Sequence, residues 1–137
     1  MIETDLLHAY AKTEDRLKTT AHKIVQRIME EEFNTVYASR EALHEIYYVS
    51  MEEGTSIDEY IARAASLTAI ENLAFLETTP EIDLLALALM SHYNIGSIFD
   101  AYHAASALNQ DPDHTLISTD KEFDKTPGIK RIDPRDL

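Results

Sequence analysis

Short β-rich segments alternate with amphipathic helical segments along the chain, and this alternation constrains the fold more than any other feature. The segments predicted as strands cover residues 1–3, 34–38, 73–77, 114–118 and 129–132. Between them, apolar spacing and capping signals predict helices near residues 14–32, 39–53, 56–72, 79–93 and 98–109. Such alternation favours an α/β fold with a small, mostly parallel central sheet covered on both faces. An all-helical fold is the alternative, because each strand candidate is only about 3–5 residues long.

The predicted helix ends carry recognisable capping residues. Ser39 is a good N-cap for the helix that Gly54 terminates. Ser56 and Glu59 have the spacing of a capping box. At positions 79–80, a threonine N-cap precedes a proline at the first helical position. These signals therefore predict where three of the helices begin.

The residue content excludes several kinds of active site. The chain has 137 residues and no Cys, which excludes disulfides, thiolate zinc sites and cysteine nucleophiles. Its three glycines, Gly54, Gly96 and Gly128, cannot supply the glycine-rich nucleotide-binding loops GxGxxG or GxxxxGK. The length fits a single domain spanning residues 1–137.

The chain is strongly acidic, with 12 basic and 25 acidic side chains and a formal charge of −13. This charge opposes nucleic-acid binding, except where a local basic patch exists or divalent cations bridge carboxylates to phosphates. The longest apolar run, residues 84–90, is too short for a membrane span. Glu3 and Asp5 lie where a secretory signal would be positively charged. We therefore expect a cytoplasmic protein with no membrane partner.

Five carboxylates occupy positions where functional groups gather or where burial is unfavourable. Three follow predicted strands, whose carboxyl ends form the sites of α/β folds, and two lie on apolar helical stripes. Converging carboxylates repel one another, and a divalent cation relieves that repulsion. Oxygen ligands favour Mg²⁺ or Mn²⁺ over zinc. The carboxylates are Glu3, Asp5 and Asp120 after strands, and Glu45 and Asp100 on helices, with His103 one turn after Asp100.

Each of these carboxylates also has a purely structural interpretation, which the sequence leaves open. Asp100 lies three residues after Ser97, the spacing of a capping box, and Asp120 can cap the turn that follows it. The two N-terminal acids can be ordinary surface charges. Glu45 can form an ion pair with an arginine, and the candidates are Arg40 and Arg63.

At these same acids the chain resembles the PIN-domain family, particularly the VapC-type toxins of toxin–antitoxin pairs and their archaeal relatives. Residues 2–7 resemble the family's apolar-Asp-Thr-Asn-apolar-Leu start, with Glu3 in the place of the Asp and Asp5 in the place of the Asn. Residues 39–46 resemble its Leu-x-Glu-Leu helix and residues 99–108 its Asp-Ala-x-His-x-Ala-x-Ala helix. Residues 116–123 and 127–134 are similar to its closing motifs. The match extends over nearly the whole chain.

The resemblance implies a three-layer α/β/α fold and a Mg²⁺- or Mn²⁺-dependent endoribonuclease, which is a hydrolase. It implies catalytic roles for Glu3, Glu45, Asp100 and Asp120, and metal ligation by Glu3, Asp5, Asp100 and Asp120. The cation would activate a water that attacks an RNA phosphodiester. A glutamate at position 3 is one methylene longer than the family's Asp, which alters the reach of the carboxylate.

Further residues and partners enter through the same resemblance. Thr4 and Ser118 are expected to orient a carboxylate or a water. The resemblance implies an RNA substrate, a cognate antitoxin and a homodimer. The predicted helix at 79–93 is apolar nearly all round, which indicates either deep burial or a dimer face. Candidates for contacts with RNA phosphates are Lys12, Arg40, Lys121 and Lys125.

Two other functions remain open on the sequence alone. The altered first acid is compatible with a PIN-like module that binds RNA or protein partners and is catalytically weak or inactive. The third hypothesis is an acidic helical scaffold in which every carboxylate is a cap or an ion pair. Cation binding tests the scaffold hypothesis, because only a metal site is stabilised by a bound ion.

Overall fold

The structure is a computed structural model that describes residues 1–137. Six α-helices and four short β-strands follow one another along the chain. They are α1 (Thr4–Ala11), α2 (Lys18–Met29), β1 (Val36–Ser39), α3 (Glu41–Glu52), α4 (Ile57–Thr68), β2 (Leu73–Leu76), α5 (Pro80–Tyr93), α6 (Ile98–Gln110), β3 (Thr115–Ile117) and β4 (Lys130–Ile132). Short 3₁₀ helices, Lys121–Lys125 and Pro134–Asp136, follow β3 and β4.

The N-terminal residues lie between two parallel strand pairs and connect them. β1 pairs with β2, and β3 pairs with β4, both in parallel. The amide of Ile2 donates to the carbonyl of Tyr37 at 2.8 Å, and the amide of Glu3 donates to the carbonyl of Ile117 at 3.1 Å. The order across this layer is therefore β2, β1, residues 1–3, β3 and β4.

Side chains alternate between two hydrophobic cores, one on each face of the strands. Val36 and Ala38 pack with apolar residues of α1–α4, whereas Tyr37 between them packs with those of α5 and α6. In β3, Ile117 belongs to the first core and Leu116 to the second. This arrangement confirms the α/β fold class with three layers, and the all-helical alternative is wrong.

Several predicted element boundaries are confirmed and others shift. The Ser56 hydroxyl accepts the Glu59 amide at 3.2 Å and begins α4, as predicted. Gly54 follows α3 with a φ of 77°, a conformation that suits a residue without a Cβ. The first predicted strand is reduced to one bridge at Ile2, because α1 already begins at Thr4.

Two predicted helices are shorter than their apolar spacing indicated. The predicted helix at 14–32 is α2, which begins at Lys18 and ends at Met29. Beyond it, Glu31 and Asn34 have φ values of 60° and 57°, which a right-handed helix cannot contain. The helix predicted to end at residue 72 ends at Thr68, and Asn72 has a φ of 62°.

The helix α5 is exposed on part of its surface. Leu84 and Leu87 are 70% and 56% exposed, whereas Ile82 and Ala86 are buried. Deep burial of the whole helix is therefore wrong. No single helix has the length and apolar content to cross a membrane, and α5 and α6 meet both conditions only as a pair bent by 113°.

Candidate metal centre

All five carboxylates that the sequence singled out line one cavity of about 440 Å³. Glu3 and Asp120 lie where the central strands end, and the other three lie on α1, α3 and α6. The remaining lining residues are Thr4, His8, Arg16, Val49 and Thr119, of which only Val49 is apolar. We call this space the acidic cavity.

Glu3 is the most deeply buried of these carboxylates, with 4% of its surface exposed. Its Oε2 accepts a hydrogen bond from the Ser118 hydroxyl at 3.0 Å. Burial raises the pKa of Glu3 well above its ordinary value, and the neighbouring charges of Asp5 and Glu45 raise it further. The interpretation of Glu3 as a surface charge is wrong. A positive charge nearby would stabilise the ionised carboxylate of Glu3.

Glu45 is held by the side chain of a buried histidine. Nε2 of His103 lies 2.9 Å from Oε2 of Glu45 and 2.8 Å from Oγ1 of Thr4. Because a carboxylate can only accept, we assign the Nε2 proton as the donor to Glu45. Burial raises the pKa of Glu45, but the hydrogen bond and charge of His103 outweigh it, so the pKa lies below its ordinary value.

The ion pair of Glu45 with an arginine is therefore wrong. Arg63 instead pairs with Glu59 at 2.7 Å, one turn away on α4. Arg40 makes no ion pair and precedes α3. The true partner of Glu45 lies 58 positions further along the chain, a separation that helical spacing does not reveal.

The tightest group of potential metal-binding atoms differs from the predicted ligand set. Ligand atoms of Glu3, Glu45 and His103 all lie within 4.8 Å of one another. His103 is completely buried, its Nε2 lies at hydrogen-bond distance from both Thr4 and Glu45, and its Nδ1 has no partner. We therefore interpret the ring as the support that orients Glu45 towards Glu3.

Asp100 lies in the first turn of α6 with its carboxylate in the acidic cavity. The Ser97 hydroxyl accepts the Asp100 amide at 3.4 Å, so Ser97 caps the helix. The Asp100 carboxylate makes no hydrogen bond in return. Burial raises its pKa to about 6, and the charges of Glu45 and Asp120 contribute to the shift. The capping box is thus half formed, and the carboxylate stays available to a ligand.

Asp120 is exposed and combines a capping role with a place at the cavity. Its Oδ1 accepts the Glu122 amide at 2.8 Å, which confirms the capping interpretation. Its Oδ2 makes no hydrogen bond. One carboxylate oxygen of Asp120 therefore remains available on the rim of the acidic cavity.

Asp5 connects α1 to the segment after β3. Its Oδ1 accepts the Leu6 amide at 2.7 Å, and its Oδ2 accepts both the amide and the hydroxyl of Thr119, the amide at 3.1 Å. Both oxygens are thus engaged within the protein. Asp5 can offer a cation only the lone pairs that these bonds leave free.

The acidic cavity also contains one arginine side chain, which the sequence analysis did not single out. Arg16 lines the acidic cavity and lies between α1 and α2, although the sequence predicted a helix that includes it. Lys12 pairs with Glu53 at 3.0 Å, and Lys125 pairs with Glu122 at 2.6 Å. None of the predicted phosphate-contact residues lines the cavity, namely Lys12, Arg40, Lys121 and Lys125.

The chemistry of the cavity fits a hard divalent cation. Its free donors are carboxylate oxygens, which Mg²⁺ and Mn²⁺ prefer. Burial raises the pKa of Glu3 and of Asp100, and neighbouring carboxylates raise both further. A cation coordinated by these oxygens would neutralise their negative charge.

Known proteins share this fold. The family model described as PIN domain matches residues 1–129. The crystal structure of VapC20 from Mycobacterium tuberculosis, described as a sarcin-ricin loop cleaving toxin, aligns with a TM-score of 0.70 and 17% identity over 90% of this chain and 91% of that chain. No curated protein matches the chain. At this identity, the likeness to VapC20 shows a shared fold.

Proposed function

The chain belongs to the PIN-domain family, and from that membership we propose that it is a metal-dependent endoribonuclease of the VapC type. The observation that carries the proposal is the convergence of five carboxylates on one cavity with a single apolar lining residue. The described activity of VapC20, a toxin that cleaves the sarcin-ricin loop, supports a nucleic-acid substrate.

We assign the cation to the acidic cavity. Glu3, Asp100 and Asp120 would hold it through their uncommitted oxygens, together with the free Oε1 of Glu45. A bound Mg²⁺ or Mn²⁺ supplies Lewis-acid activation of water and neutralises charge on the phosphate. Asp5 holds the segment at the rim of the acidic cavity, because its carboxylate accepts a hydrogen bond from the Thr119 amide.

The protein's own groups keep these carboxylates in place. The Ser118 hydroxyl donates to Glu3, and the amide of Asp120 donates to the same Ser118 oxygen at 2.9 Å. Ser118 therefore links the carboxylate of Glu3 to the backbone that carries Asp120. On the other side, His103 holds Glu45, so that both sides of the cavity are fixed before a ligand arrives.

The catalytically inactive module is the second candidate, because Glu3 replaces the family's usual Asp. The longer Glu3 side chain nevertheless lies in the cavity with the other four carboxylates and accepts a hydrogen bond from the Ser118 hydroxyl. The extra methylene is thus accommodated within the site. This geometry favours the active enzyme over the inactive module.

The proposal extends to partners and to location. A VapC-type ribonuclease would be restrained by a cognate antitoxin and would act on RNA in the cytoplasm. A homodimer is supported by the apolar face of α5, where Leu84 and Leu87 are exposed.

Cleavage of RNA by the purified protein tests the enzymatic proposal. We expect cuts in a mixed, structured RNA pool with Mg²⁺ or Mn²⁺ and none with EDTA. Asp100→Asn should abolish them, whereas Asp113→Asn, the same change at an exposed position outside the acidic cavity, should not. Cuts that persist in EDTA or in Asp100→Asn would contradict the proposal. Cation binding without any cleavage would favour the inactive module.

A further inference from the structure

A second cavity adjoins the acidic cavity and has the opposite charge. It measures about 340 Å³ and is lined by Arg16, Leu17, Thr119 and Arg135. Arg16 and Thr119 line both cavities, so the two spaces share a wall. We call the second space the arginine cleft.

Arg16 is an uncommitted cation in a chain that pairs most of its arginines. Its side chain is exposed and makes no ion pair or hydrogen bond. By contrast, Arg27, Arg63, Arg131 and Arg135 each bind a carboxylate within 2.8 Å. Arg16 is also the only Lys or Arg that lines the acidic cavity. Its guanidinium is free to bind an anion that spans the two cavities.

Arg135 faces the same cleft from the C-terminal 3₁₀ helix. Its Nε donates to Oδ1 of Asp133 at 2.8 Å, and its Nη2 donates to Oδ2 of the same carboxylate. This pair holds the guanidinium in one orientation and leaves Nη1 without a partner. The amide and hydroxyl of Thr119 both donate to Asp5, so Thr119 forms a fixed wall and offers no donor.

We propose that the arginine cleft binds a phosphate of the RNA backbone that neighbours the phosphodiester in the acidic cavity. The proposal rests on the proposed ribonuclease function. Guanidinium groups present several N–H donors in a plane and bind phosphate oxygens in pairs. A strand held at five carboxylates has neighbouring phosphates on either side, and this cleft is the cationic space that adjoins them. It supplies a local basic patch, one of the two ways in which a chain with a charge of −13 can bind RNA.

Binding of a fluorescent single-stranded RNA tests the arginine cleft without cleavage. We would use the Asp100→Asn protein in MgCl₂ and compare it with Asp100→Asn/Arg16→Ala. Removal of Arg16 should weaken binding about tenfold, because a charged hydrogen-bond donor is lost. The slope of log K against log salt should fall in magnitude by about 0.7, the value for one phosphate contact with a single strand.

Matched variants separate a phosphate contact from a general loss of charge. Lys23→Ala removes one exposed positive charge from α2, away from both cavities. It should change the affinity and the slope less than Arg16→Ala does. Arg16→Lys keeps the charge and should retain most of the slope while it binds more weakly than Arg16. Arg135→Ala should lower the slope as Arg16→Ala does. Thermal unfolding of each variant establishes that it is folded.

Equal effects of Arg16→Ala and Lys23→Ala on affinity and slope would overturn the proposal. Absence of measurable RNA binding by both the Asp100→Asn protein and the wild-type protein would also overturn it. Stabilisation of the wild-type protein by Mg²⁺ distinguishes failure of the arginine cleft from failure of the proposed ribonuclease function. If the stabilisation is present but Arg16 has no effect, the arginine cleft alone is rejected. If both are absent, the proposed ribonuclease fails as well.

Discussion

Two carboxylates in the acidic cavity shift their pKa in opposite directions because their partners differ. Burial acts on Glu45 and on Asp100 alike and raises the pKa of each. Glu45 has the ring of His103 as a partner, and its pKa falls below the ordinary value. Asp100 accepts no hydrogen bond, so burial and the neighbouring carboxylates of Glu45 and Asp120 outweigh the opposing effect of His103, and its pKa rises to about 6. We therefore expect an added cation to change the pKa of Asp100 more than that of Glu45.

The pH dependence of stability tests the environment of Asp100. Because its folded-state pKa of about 6 exceeds the ordinary value of 3.8, the folded metal-free protein binds more protons than the unfolded chain between these values. The free energy of unfolding should thus fall as pH rises from 3.8 towards 6 and stay low above it. Asp100→Asn should flatten this part of the curve and raise stability at pH 8. Urea denaturation in EDTA measures both.

If the free energy of unfolding varies with pH in the same way in the wild type and in Asp100→Asn between pH 4 and 8, the raised pKa of Asp100 would be contradicted. Asp113→Asn, at an exposed aspartate outside the acidic cavity, is the control, and its curve should follow the wild type.

At the scale of elements, one ring joins three helices around the cavity. His103 on α6 contacts Thr4 at the start of α1 and Glu45 on α3. None of these helices is adjacent to another in sequence. The contact therefore sets the position of the Glu45 carboxylate by packing between helices.

Removal of the His103 ring should destabilise the fold. His103→Ala would leave a cavity in a completely buried position and would leave Glu45 without its donor. We expect the free energy of unfolding to fall by about 2–4 kcal/mol. His44→Ala removes another histidine–glutamate pair on α3, which is exposed, and should cost less than about 1 kcal/mol. Similar losses for the two variants in urea denaturation would contradict the role of His103.

Local capping signals predicted the starts of α4 and α5, whereas α3 begins after Arg40 and not directly after the predicted cap Ser39. Contacts between distant segments were beyond the reach of such signals. Ser56 and the threonine at position 79 begin their helices because a cap depends only on residues three positions away. The gathering of the five carboxylates at one cavity agrees with the expected strand ends and helix stripes. The pairing of His103 with Glu45 and the place of Arg16 depend on how helices pack, which no local spacing encodes.

At the scale of the whole molecule, net charge opposes the compact state. The chain carries 25 acidic and 12 basic side chains, and five of the carboxylates face one cavity. Long-range repulsion between exposed charges is screened by salt, with a Debye length of about 10 Å at 0.1 M. The folded protein should therefore gain stability from any added electrolyte and gain more from a cation that enters the cavity.

Sodium chloride should raise the melting temperature of the metal-free protein, because it screens this repulsion. The rise should be gradual and should be similar in the wild type and in Asp113→Asn. Thermal denaturation in EDTA with increasing NaCl measures it. A melting temperature that falls or stays constant would show that ion pairs, and not net repulsion, dominate the electrostatics of the fold.

Titration of the apoprotein with MgCl₂ at constant ionic strength tests the central claim, that the acidic cavity is a divalent-cation site. Saturating Mg²⁺ should stabilise the wild type by about 2.7 kcal/mol at 100 times its Kd, beyond the effect of NaCl. Asp100→Asn should lose most of this gain, and Asp113→Asn should keep it. A wild-type gain no larger than that of NaCl, or an equal gain in Asp100→Asn, would contradict the account.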